Sequence, residues 1–379
     1  MNRRRSAAVS CRRSAAYGGP CASRSRRSVV VAGRASRERS VRRSAVYLTQ
    51  VLATCAARLR HVRPESTRHL QDLASERSVL DVVREAVGAR AVARVAHWYV
   101  RRENYVVASV ETQHPVMRLV VKLEIPCERP NRHFDSMAAI ARMVRTHSEA
   151  PTFDVVAVDI TRRNWPWEYL IVTELAGVTW MKLYPQLDHT ARAVAQRQIG
   201  RSAAQLHVLR FDCFGQIGPD GGVIDGSGPV AALGQRALRR LRTPRFREVM
   251  LEVLESRGSL FADMPSATLC HEDMNPNNLV FEMRDGQPSL SGILDFESAW
   301  ASTGESDLAR LELWWMTCGD ALREGYAEVA AVDSGYQARK PVLQLLWCLE
   351  YAEHDASAEH QSVTDQVCAE LGIAPIPFI

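Results

Sequence analysis

Between His271 and Glu297 the chain reads HEDMNPNNLVFEMRDGQPSLSGILDFE. Within it His271, Asp273 and Asn278 keep the spacing H-x-D-x-x-x-x-N, and Asp295 closes an apolar run further on. Two carboxylates and an amide in one stretch suit phosphoryl transfer. That reaction needs a carboxylate to orient and deprotonate a hydroxyl, and oxygen ligands for magnesium against developing phosphate charge. Taken singly, Asp273, Asn275 and Asn278 read as loop residues capping their own backbone, and Asp295 as a turn former. Taken together, the spacing and the flanking strands favour a site.

The elements that must position these groups are legible nearby. Leu279-Val280-Phe281 and the run from Leu290 to Leu294 are short β-prone stretches separated by Asp285-Gly286 and Pro288, the pattern of a hairpin. A hairpin returns the chain, so Asp273 and Asn278 before its first strand and Asp295 after its second fall at the same end.

The stretch HEDMNPNN followed by ILDFE resembles the aminoglycoside phosphotransferase and choline kinase family, relatives of the protein kinases. The resemblance implies Asp273 as catalytic base, Asn278 and Asp295 as magnesium ligands and His271 as support for the loop, with ATP as phosphate donor. It covers most of residues 100 to 310. It also gives meaning to Lys122 in the apolar strand Leu119 to Leu123: the chain has 45 arginines and three lysines, so a lysine there points to a compact ammonium. The family's third strand carries the lysine that grips the α- and β-phosphates, and Lys122 takes that role. Asp135, opening a helical stretch from Ser136 to Thr146, is the acid assigned to orient it, ahead of Glu128 in the preceding loop. The strand YLIVTE ends at the family's interlobe hinge, where backbone groups from Glu174 to Ala176 would meet adenine. The loop Arg101 to Asn104 departs from the family in lacking glycine.

Elsewhere the pattern is coarser. Val79, Leu80, Val82, Val83 and Val87 make an apolar helical stripe. Ala93 to Val100, Tyr105 to Val110 and Met117 to Leu123 read as three antiparallel strands. A long helix is expected over 188 to 209, with His207 at its end as a packed structural histidine, then a glycine-rich connection from Phe214 and helices over 229 to 256. Further helices are expected over Asp307 to Thr317, Asp320 to Val332, Pro341 to Glu353 and Ser362 to Leu371.

Residues 1–45 hold thirteen arginines and one acid, Glu38. This segment reads as a disordered tail: a transit peptide, a binding arm, or translation upstream of the true start. It carries +12 of a net charge of +5, so the remainder is acidic at −7, which argues against a nucleic-acid surface. No apolar run approaches a membrane span. Nine cysteines without a C-x-x-C pair indicate neither zinc nor a disulfide framework, and a cytoplasmic setting is expected. From Glu297 to Ile379 fourteen acids face four basic residues. They read either as solvated helix faces or as an acceptor pocket that would concentrate a cationic molecule.

The expectation is an α+β, two-lobed protein-kinase-like fold. After the tail come a helical lead-in over 46–89, a small antiparallel-sheet nucleotide lobe over 90–175 and a larger, mainly helical catalytic and acceptor lobe over 176–379. It would use ATP and Mg2+ to phosphorylate a hydroxyl of a small, cationic acceptor, with no nucleic acid or membrane partner. A homoserine or sugar kinase and a catalytically silent nucleotide-binding module stay open. A protein kinase is disfavoured, because Glu297 replaces the glycine expected after Asp295-Phe296 and no A-P-E segment follows.

Overall fold

The computed structural model describes residues 75–88, 93–102, 105–124, 134–264, 266–314, 316–354 and 356–378. The arginine-rich tail, the first part of the lead-in, Glu103 and Asn104 of the expected phosphate loop and Glu128 lie outside the described residues.

The first helix, α1 (Glu76–Val87), is capped by the Ser75 side chain, which accepts from the Ser78 amide. Three strands follow: β1 (Ala93–Arg102), β2 (Tyr105–Gln113) and β3 (Val116–Glu124). Beyond α2 (Phe134–His147) come β4 (Val155–Asp159) and β5 (Glu168–Thr173), giving an antiparallel sheet in the order β1-β2-β3-β5-β4. The pleat explains its two faces. Val106, Ala108, Val110, Leu119, Val121 and Leu123 pack against Val79, Val82 and Val83 of α1. Tyr105, Val107, Leu170 and Val172 turn the other way, toward α2. Lys122 pairs in register with Val107 and Leu170 and so shares that second face. The sequence pattern anticipates β1 to β3 and β5 but not β4, a half-buried edge strand with no alternation to mark it.

The chain then passes through β6 (Val178–Thr179) and α3 (Trp180–Leu183) into the long α4 (His189–Leu206), capped by Asp188. Next come β7 (Arg210–Phe211), β8 (Phe214–Ile217), β9 (Val223–Ser227), α5 (Pro229–Arg240) and α6 (Pro244–Arg257). The stretch read as a glycine-rich connection is thus a hairpin, β8 to β9. Its glycines serve the turn: Gly221 has φ 79°, and Gly218 accepts at its carbonyl from the Gly221 amide.

The expected hairpin is present as β11 (Leu279–Arg284) and β12 (Gln287–Ile293), after β10 (Ala267–Cys270). Asp285 and Gly286, with φ of 51° and 76°, make the turn. Leu279 pairs with Ile293, which fixes the ends of the two strands side by side. Phe281 and Ile293 are completely buried, each worth roughly 1.5–3 kcal/mol of transfer free energy. β13 (Trp300–Ser302) joins β10, and α7 (Glu305–Leu313), α8 (Asp320–Ala327), α9 (Tyr336–Ala352) and α10 (Ala358–Leu371) complete the helical part. α9 begins five residues before Pro341, where the sequence reading placed its start; the proline lies inside the helix and forgoes one backbone hydrogen bond there.

Candidate active site

The loop expected to be catalytic is the segment between β10 and β11, and its backbone is fixed from below. Asp307, buried at the start of α7, accepts from the amides of His271 at 2.7 Å and Glu272 at 2.8 Å. Burial opposes ionisation of Asp307, but the His207 contact, with further help from His271, outweighs it and holds the carboxyl below its ordinary value. His207 Nε2 lies 3.2 Å from Asp307 and Nδ1 2.8 Å from the Tyr326 hydroxyl. The structural reading of His207 agrees with this burial. Cys270 donates to the Thr303 carbonyl beside it, so the His207, Cys270 and Asp307 cluster is a hydrogen-bonded anchor.

His271 ties the loop to the hairpin. Its Nδ1 accepts from the Asp273 amide at 3.1 Å, which leaves the proton on Nε2, 2.7 Å from the Leu294 carbonyl. The Leu294 amide in turn donates to the Asn278 carbonyl. The residue before Asp295 is therefore stapled to both His271 and Asn278.

Asn278 Nδ2 donates to the Asp273 carbonyl at 2.9 Å and to Asp273 Oδ2 at 3.0 Å. Its amide oxygen is the end left for a ligand. Lys122 Nζ reaches Asp295 Oδ1 at 3.1 Å, across 173 positions of sequence. Burial works against the Lys122 cation, yet Asp295 raises it above the ordinary lysine value. The structure thus brings together His271, Asp273 and Asn278 on the loop, and Lys122 with Asp295 opposite. The donor set of one amide oxygen and one carboxylate is hard and oxygen-only, which fits magnesium.

The structure does not bring Asp135 to Lys122. Its carboxylate accepts from the adjacent Ser136 amide at 2.8 Å, and the carboxylate placed against Lys122 is that of Asp295. At the first turn of α2 a short acidic side chain is drawn to the unsatisfied helix amides. At the hinge, the Glu174 amide donates to the Arg118 carbonyl, while its carboxylate takes Ser109 Oγ, Arg118 and the Tyr99 hydroxyl. Ala176 follows on the exposed turn. Of the hinge groups, the Glu174 amide is already committed to the strand.

Arg310 on α7 was missed. Its Nη2 donates to Asp273 Oδ1 at 2.7 Å and Nη1 to the Glu272 carbonyl at 3.3 Å, with its guanidinium 3.5 Å from the Trp347 ring centroid. Burial lowers its pKa and Asp273 pulls the other way. Nothing in the local sequence singled it out, since Arg310 is one of four charged residues in α7, with Glu305, Asp307 and Glu312.

Several of the acids after Glu297 are paired with arginines. Glu305 meets Arg339, Glu328 meets Arg197 and Arg201, Glu350 meets Arg236 and Arg240, and Glu312 meets Arg323 and Lys340. A cavity of about 320 Å³ beside Phe296 and Glu297 is bounded by Arg236, Arg239 and Arg240. Part of the acid surplus read from composition is thus neutralised within the helical part, while Asp320, Glu359 and Glu370 stay exposed.

Residues 100–342 match the Phosphotransferase enzyme family. Among solved structures, aminoglycoside phosphotransferase APH(4)-Ia aligns with a TM-score of 0.57 at 15% identity, over 79% of this chain and 99% of that one. A thermostable mutant of the same enzyme in ternary complex with AMP-PNP and hygromycin B aligns at 0.54 and 15%, over 78% and 97%. A further mutant with ADP and hygromycin B aligns at 0.53 and 17%, over 78% and 99%. No curated protein sequence matches significantly. At these identities the likeness shows the fold, which is α+β and protein-kinase-like.

Proposed function

Because the chain belongs to the phosphotransferase enzyme family, whose members here are small-molecule kinases, we propose that it transfers the γ-phosphate of ATP to a hydroxyl of a small acceptor. The observation that carries this reading is the contact between Lys122 and Asp295 above a loop whose Asp273 is held by Asn278 and Arg310. Asp273 orients the acceptor hydroxyl and takes its proton as the phosphorus–oxygen bond forms. Both carboxylate oxygens are already anchored, so its direction is set before the acceptor arrives. Lys122 binds the α- and β-phosphate oxygens, and backbone groups around Ala176 receive the base. Asn278 and Asp295 hold magnesium, which when bound neutralises charge on the phosphates.

An amino sugar or amino alcohol is the first acceptor to try, since structures of similar fold hold hygromycin B. The setting is cytoplasmic in this reading: Cys213, Cys270, Cys318, Cys348 and Cys368 are free, and no helix among the described residues is long and apolar enough to cross a membrane.

The test is phosphorus NMR of MgATP incubated with purified protein and, in turn, hygromycin B, kanamycin, aminopropanol, choline, homoserine and a hexose. A new phosphate ester with one acceptor supports the reading and names the class. Absence of nucleotide binding would sink it.

A further inference from the structure

Glu272 stands between His271 and Asp273 with a backbone φ of 60°, a region that suits glycine and strains a glutamate. Its side chain is fully buried. Burial pushes its carboxyl up, Arg236 opposes that, and the nearby Asp307 adds to it. The carboxylate meets Arg236 Nη1 and accepts from Ser306 Oγ at 3.0 Å. Arg236, on α5, is itself 1% exposed. Its Nε and Nη2 fork onto the two oxygens of Glu350 on α9, at 2.9 and 3.0 Å. Its guanidinium lies 4.4 Å from the Trp347 ring centroid, against which Arg310 also packs.

We propose that Arg236 is a positioning residue for the catalytic loop: by holding Glu272 in its left-handed turn, it sets where the next residue, Asp273, points. Its significance for turnover rests on the reading of Asp273 given above. The geometry calls for arginine in particular. Three nitrogens of one planar group face two carboxylates on different elements, and a lysine could serve one of them at a time. Without the cation, the buried Glu272 carboxylate would lose its ion pair and keep only the longer-range pull of Arg240 and Arg310, at a residue already strained, and the turn would open to release it. Glutamine at 272 needs no cation, so it should relieve the defect.

The experiment compares full-length wild type, Arg236→Met, Glu272→Gln and the double variant by amide hydrogen exchange, with MgATP and hygromycin B turnover measured in parallel well below the melting temperature. The expected result is exchange over residues 271–278 at least tenfold faster in Arg236→Met, unchanged exchange in β2 and β3, and a return to within threefold of wild type in the double variant. Turnover should show kcat reduced at least thirtyfold with the ATP KM moved less than threefold. Unchanged exchange at 271–278, exchange raised equally throughout, or a double variant no better than Arg236→Met would each overturn the proposal. If Arg236→Met alone does not fold, the double variant carries the test, and its failing to fold as well overturns it. The expected exchange pattern across the variants, with a wild type that phosphorylates nothing, counts against the proposed function and leaves the loop clamp standing.

Discussion

Arg94 pairs with Glu111 on the outer face of the sheet while 75% exposed, whereas Arg310, 5% exposed, pairs with Asp273 beneath the catalytic loop. The first pair is screened by solvent, and Glu111 keeps Arg118 nearby when Arg94 is removed. The second is one member of a set in which Arg310 and Arg236 share Trp347, and Arg236 shares Glu272 and Glu350. Exposed pairs typically contribute about 0–1 kcal/mol, while removing one partner of a buried pair costs roughly 3–5 kcal/mol because the other is left charged. The same residue types therefore do different work in the two regions. On the sheet they decorate a surface, and under the loop they fix a geometry.

Four substitutions or conditions can break that contrast. Asp295→Asn removes the charge facing both Lys122 and the expected metal, and should lower turnover by about 10³-fold in steady-state assays. A loss below tenfold would mean the sheet and the loop do not cooperate through Asp295. Arg310→Met should lower kcat by about 10²-fold with little change in ATP binding by calorimetry, since its hydrogen bonds go to Asp273 and the Glu272 carbonyl and none goes to Lys122 or Asp295. Equal loss of binding would show the effect is not local.

The third concerns acid. Burial disfavours ionisation of Asp307 and Glu350, but His207 for the first, and Arg236 and Arg240 for the second, hold both below their ordinary values. Such groups stabilise the fold above the unfolded pKa, near 4, and the contribution is lost as pH falls through the lower folded values. Glu272, pushed up, acts in the opposite sense and softens the slope. Melting temperature should stay level from about pH 7 to 5 and drop steeply below about pH 4; a level curve to pH 3 would contradict the buried network. The smallest effect is Arg94→Ala, expected to change unfolding free energy by less than about 1 kcal/mol in urea titration. A larger loss would erase the distinction between surface and buried pairs.

What the sequence revealed follows the same division. The hairpin was legible because alternating apolar runs flank an Asp-Gly turn, and that alone placed Asp273, Asn278 and Asp295 at one end. Lys122 stood out by its rarity in an arginine-rich chain. Asp135 failed as its partner because a helix N-terminus competes for a short carboxylate, and proximity along the chain says nothing about that competition. Arg310, Arg236 and Glu350 were illegible for a different reason: each lies in an ordinary helix, and only packing brings those helices together. The composition of the last segment could not show for the same reason which of its acids are solvated and which, such as Glu328 and Glu350, find arginines on α4 and α5.

The central claim is that Asp273 accepts the acceptor's proton while other residues hold the nucleotide. The most direct measurement is single-turnover transfer of γ-phosphate from labelled ATP by Asp273→Asn beside wild type, with nucleotide affinity measured on both. The account predicts ATP binding within threefold of wild type and transfer slowed at least about 10³-fold. Transfer at the wild-type rate would contradict it.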